Sequence, residues 1–133
     1  MNWHYFLNEV ETFVRLALPT GVKVVMAIIC GGLIGFEREL KRKPAGIKTN
    51  ILICLGATLY TIMSVQLSQL NVGTSYNTDP SRIAAQIVSG IGFIGAGAIM
   101  QSRVTITGLT TAATIWIVAA IGVCIGGGYP LVA

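Results

Sequence analysis

The string Gly90-Ile91-Gly92-Phe93-Ile94-Gly95 matches G-x-G-x-x-G, a pattern whose backbone can cradle a dinucleotide pyrophosphate. That chemistry needs a strand before the glycines, a helix after them and an acid about 20 positions on. No acid follows Asp79 anywhere in the chain, so no nucleotide is expected to bind. Catalysis finds as little support. The single histidine, His4, lies between Trp3 and Tyr5, and no Ser/His/Asp set or phosphate loop occurs. Cys30, Cys54 and Cys124 stand far apart in apolar runs without a C-x-x-C, which suits packing better than a disulfide or a zinc site. Neither an enzyme nor a bound cofactor is expected.

Ion handling is the remaining chemistry. Magnesium takes oxygen ligands, usually one or two carboxylates with retained waters. Glu37, Glu39 and Asp79 are the relevant acids, and none falls in the centre of an apolar stretch. A path for the ion would then rest on Gln86, Ser89, Thr58, Thr110 and carbonyls, in several copies of the chain. The sequence defines no metal site.

The elements that must position these residues follow from composition. Of 133 residues, 53% are hydrophobic and 11% charged, against about 25% charged in soluble domains. An integral membrane protein is implied. Four apolar stretches, at about 20–36, 50–70, 81–100 and 108–125, each approach the roughly 20 residues of a spanning helix. No alternating strand pattern appears, and helices are the remaining way to satisfy the backbone in lipid. The fold class is all-α: a polytopic bundle of four spanning helices in residues 19–133. Residues 1–18 are a separate element, with Trp3, Phe6, Val10, Phe13 and Ala17 at helical spacing. They read as an amphipathic helix lying in the interface and ended by Pro19, the alternative being an extension of the first spanning helix.

Arg38, Lys41, Arg42, Lys43 and Lys48 form one basic loop, not a nucleic-acid surface. The positive-inside rule places that loop in the cytoplasm and the N-terminus outside. Asn71, Asn77 and Asp79 are then outside and Arg103 inside. Glu37 is positioned to pair with Lys48 or with the neighbours of Arg38.

Asp79-Pro80-Ser81 has the chemistry of a helix start, with Asp79 as N-cap. From there Arg82, Ala85, Gln86, Ser89, Gly92 and Ala96 gather on one side of the third helix. This small, polar face is expected to turn to protein, and Ile83, Ile87, Ile91 and Ile94 to lipid. Gly90, Gly92, Gly95 and Gly97 are therefore a packing signature, as is the Gly31/Gly35 pair of the first helix. Arg82 is expected to reach into the bundle rather than to headgroups. Thr110 and Thr111 begin the fourth helix and cap it or bond to its backbone. Trp116 lies deep in that helix as a packing residue.

The segments Gly35-Phe36-Glu37-Arg38, Ala45-Gly46-Ile47-Lys48-Thr49-Asn50, residues 82–97 and Gly108-Leu109-Thr110-Thr111-Ala112-Ala113 occur in that order. Together they resemble the MgtC/SapB family of membrane proteins. Lys48 departs from the family pattern, which usually has Arg there; the charge is kept and the planar fork lost. The resemblance implies a role in magnesium homeostasis, adaptation to low magnesium and virulence. It points to regulation through the membrane ATP synthase or a P-type magnesium pump, with membrane lipid and homo-oligomers as further partners. The alternative is an oligomeric transporter of magnesium or another ion. Family members usually add a fifth spanning helix and many a C-terminal cytoplasmic domain, which are expected to lie outside this chain.

Overall fold

The computed structural model describes the backbone of residues 3–70, 79, 81–101 and 105–133. Side chains are described from residue 18 onward, residues 70 and 101 excepted. The amphipathic pattern of residues 1–17 and the loop positions Asn71, Asn77 and Arg103 lie outside those described. Among the described residues four helices make up the bundle: α1 (Trp3–Leu40), α2 (Ile47–Leu70), α3 (Ser81–Gly97) and α4 (Leu109–Gly127). Three stretches are long and apolar enough to cross a membrane among the described residues, Leu18–Leu40, Ile47–Gln69 and Leu109–Gly127. The 17 residues of α3 reach about 25 Å at 1.5 Å each.

The expected break at Pro19 does not occur. Pro19 lies inside α1, which runs 38 residues from Trp3 without interruption, so the backbone from Trp3 onward is continuous with the first apolar span. Proline removes one amide donor but not the turns on either side of it, and membrane helices tolerate that loss. After α3 the chain leaves the helix at Gly97, earlier than the apolar run suggests. Met100–Gln101 and Ile106–Thr107 then pair antiparallel, Met100 with Thr107 and Gln101 with Ile106. Gly108 closes this turn at a φ of 89°, where an added Cβ would strike the carbonyl oxygen of Ala98.

Two glycine seams set the helix spacing. A Cβ on Gly31 would come within 2.7 Å of the Asn50 carbonyl oxygen, and one on Gly35 within 2.5 Å of the Ile47 Cα. The Gly31/Gly35 pair thus lets α1 touch the α2 backbone, as its spacing predicts. The second seam joins α2 to α4. Gly122 lies against the Cys54 carbonyl, and a Cβ on Gly126 would meet the Thr58 carbonyl oxygen at 2.6 Å. Between the seams Ala27, Cys54, Val118 and Ile125 form the buried centre, covered by Met26, Cys30, Ile34, Ile53, Leu55 and Ile121.

Polar side chains along α2 serve the same contacts. The Thr58 hydroxyl lies 2.9 Å from the Cys54 carbonyl oxygen and 3.0 Å from that of Gly122. Thr61 donates to the Ala57 carbonyl at 2.8 Å. These hydroxyls lie inside the seam at almost no exposure, where an unmade hydrogen bond would be expensive.

The orientation of α3 differs from expectation. Arg82, Ala85, Gln86, Ser89, Gly92 and Ala96 are all exposed, and a Cβ on Gly90, Gly92 or Gly97 would meet nothing within 4 Å. Gly95 is the third-helix glycine that packs, against Ala112 of α4. Ala84, Val88 and Ile91 line the same junction with Trp116, Ala119 and Ala120. Positions 84, 88, 91 and 95 repeat like a heptad, and Val88 and Ile91 add dispersion contact that Gly92 on the other face cannot. Half-exposed Trp116 borders this junction rather than filling a core.

Candidate functional site

The site forms where α1 ends. Gly31, Gly35 and Arg38 fall at helical spacings of four and three, so the face that meets α2 carries Arg38 inward with it. Arg38 is 6% exposed. Its guanidinium donates to the Pro44 carbonyl from Nε at 3.3 Å and from Nη2 at 2.9 Å. It also donates to the hydroxyls of Thr111 and Thr114 on α4. One side chain therefore ties α1, the following loop and the start of α4 together. Arg38 is thus no part of the solvated loop charge that the sequence suggests.

The loop itself is tightly wound. Lys41, Arg42 and Lys43 donate backbone N–H groups to the carbonyls of Glu37, Glu39 and Arg38. Arg42 and Ala45 take positive φ, 49° and 58°, a conformation that costs about 1–2 kcal/mol in a residue with a Cβ. Asn50, fully buried, donates its amide to the Ala45 and Gly46 carbonyls at 2.6 and 2.9 Å, and its side-chain oxygen accepts nothing. Glu39 accepts from the Ile47 amide at 3.2 Å and so caps the free N-terminus of α2, where a carboxylate is favoured.

Of the residues singled out in the sequence, the fold unites Arg38, Asn50 and Thr111 here. Thr111 accepts from Arg38, and the α4 N-cap is Gly108 without a side-chain bond. Thr110 is exposed and offers its carbonyl to Thr114 at 2.8 Å. Glu37 pairs with Lys41 one turn on, in solvent, and not with Lys48. Lys48 and Thr49 are exposed on the outside of α2. Among the described residues no three His, Cys, Asp or Glu side chains converge.

A second polar tie, without a signal in the sequence, holds the far end of the same helix pair. Lys23 donates to the Gly126 carbonyl at 2.9 Å, a cation at a helix C-terminus. Fifteen residues separate Lys23 from Arg38 and fifteen separate Thr111 from Gly126, about 22 Å of helix in each. The two antiparallel helices are joined like rails by a rung at either end.

Asp79 and Arg82 lie with α3 at the Lys23 end. Asp79 accepts from the Ser81 amide and hydroxyl, both at 2.8 Å, which makes it the expected N-cap. Those bonds, with Arg82 nearby, hold its carboxyl below its ordinary range. A depressed carboxylate stabilises the fold above its unfolded pKa and loses that effect as pH falls through its folded value. Asp79→Ala is accordingly expected to lower the melting temperature at neutral pH. In acid strong enough to protonate Asp79 the drop should be smaller, and an equal drop in both conditions would refute the cap.

The chain matches the MgtC family over residues 24–133. An uncharacterised protein of Haemophilus influenzae is 47% identical over 110 residues, 80% of this chain and 46% of that protein. The Escherichia coli K12 protein YhiD, provisionally named a magnesium transporter, is 48% identical over 112 residues, 80% of this chain and 50% of YhiD. Protein MgtC of Brucella abortus is 46% identical over 102 residues, 77% of this chain and 40% of that protein. The chain spans about half the length of the curated relatives it matches, or less. No solved structure matches it. With 110 of its residues under one family description and close identity along them, this chain belongs to the MgtC family.

Proposed function

We propose that this chain is the membrane domain of a bacterial magnesium-homeostasis protein that acts by associating with membrane partners. One observation carries the reading: where its polar side chains lie. Arg38, Lys23 and Thr58 are spent on carbonyls and hydroxyls that hold the helices together, and Thr61 on its own helix. Gln86, Ser89, Lys48 and Thr49 are on the outside, where another membrane protein can use them. The membrane ATP synthase and a P-type magnesium pump are the partner classes implied by the family, and a second copy of the chain is a further one. The basic residues Lys41, Arg42, Lys43 and Lys48 support a cytoplasmic Arg38 end in the inner membrane, with the N-terminus outside. No catalytic step and no bound cofactor belong to this reading; magnesium is the ion regulated.

The name of YhiD favours a second reading, an oligomeric magnesium transporter. Liposomes containing only this chain separate the two. Loaded with a magnesium-sensitive dye, they are expected to admit the ion no faster than protein-free liposomes. Saturable influx would replace the regulatory reading with transport.

A further inference from the structure

Between α2 and α3 the described residues leave an open cleft of about 660 Å³. Leu52, Gly56 and Tyr60 form one wall and Ile83, Gly90 and Ile94 the other. Its lining is almost wholly apolar, and a Cβ on Gly56 or Gly90 would meet nothing within 4 Å. Ile83 and Ile94 are eleven residues apart, about 16 Å along the helix. Apolar walls of that length match flexible hydrocarbon chains.

A charge adjoins the residues that line one end of the cleft. Arg82 is exposed, next to Ile83 and one turn from Gln86, which also lines the cleft. Both carboxylate oxygens of Asp79 are held by Ser81. Ala84 shares its junction with Val123 and Cys124, close in height to the Lys23–Gly126 rung, so Arg82 lies near the end of the spanning region. A phosphate there brings the first methylenes of its lipid to the mouth of the cleft.

We propose that the α2–α3 cleft binds a phospholipid, its acyl chains between Gly56 and Gly90 and its phosphate on Arg82. The site stands independently of what the whole protein does for magnesium. Native mass spectrometry of the chain released from phosphatidylethanolamine/phosphatidylglycerol membranes tests it. The parent is expected to retain one phospholipid, and Gly90→Leu, which fills the cleft, to retain at least about tenfold less, a loss of about 1.4 kcal/mol in binding. Gly56→Leu repeats the block from the other wall, and unchanged melting temperatures show that both variants fold. Arg82→Ala should keep the apolar contact but lose the preference for phospholipid over diacylglycerol in nanodiscs. Parental retention by both leucine variants would overturn the proposal, as would an unchanged preference in Arg82→Ala. So would leucine variants that dissolve an oligomer and keep their lipid, because the cleft would then hold a second copy.

Discussion

Gly122→Leu is expected to force α2 and α4 apart and to cost more than about 3 kcal/mol, above the usual 1–3 for overpacking. The reason is the identity of the neighbour. At Gly122 an added Cβ runs into the Cys54 backbone carbonyl and the Ala57 Cβ, and a helix backbone cannot swing aside as a flexible side chain can. The same shift would pull Thr58 from the Gly122 carbonyl and strand a buried hydroxyl. Gly92→Leu supplies the control, since nothing lies within 4 Å of that position. Thermal unfolding in mild detergent should show a large drop for Gly122→Leu and little change for Gly92→Leu. Equal drops would mean that the α2–α4 seam has been misassigned.

Arg38→Ala has the second largest expected effect. It leaves the Pro44 carbonyl without its two donors and takes a donor from Thr111 and Thr114 of α4, at about 1–3 kcal/mol for a buried group such as Thr111 left unmade. The lost connection also releases a loop that holds Arg42 and Ala45 in a strained conformation. Arg38→Lys should recover less than half of the loss. An ammonium is a point charge on a flexible stem and cannot hold a carbonyl and two hydroxyls in one plane. Full rescue by lysine, measured as the melting temperature at matched detergent, would show that charge alone is needed.

Much of this fold can be read from residue order. Apolar stretches locate the helices because lipid leaves the backbone no other way to pair. Gly31 and Gly35 identify the α1 contact because only a missing side chain permits that approach. The Asp79 cap is local chemistry and is equally legible. Arg38 is less so: a cation beside Lys41, Arg42 and Lys43 reads as loop charge. Its spacing of three from Gly35 was the available sign that it turns inward. The α3 faces could not be assigned from polarity alone. Which side meets α4 depends on Ala112, Trp116 and Ala119, residues that no periodicity within α3 can report. Lys23 and Gly126 are 103 residues apart, and nothing in either neighbourhood announces the other.

The rungs at Lys23 and Arg38 also bear on the bilayer. They lie about 22 Å apart along the helix, less than the roughly 30 Å of a hydrocarbon core. Leu18–Leu40 and Ile47–Gln69 are 23 residues long each, about 34 Å, and Leu18–Leu40 runs past the Lys23 rung. On the opposite flank α4 stops at Gly127 and α3 has only 17 residues. One flank of the bundle is therefore taller than the other. A membrane that wets both must thin beside α3 and α4, or the bundle must tilt, at fractions of a kcal/mol for each Å of mismatch. Lipid thickness thereby becomes a mechanical load on this protein, applied to the flank where Gln86 and Ser89 are exposed.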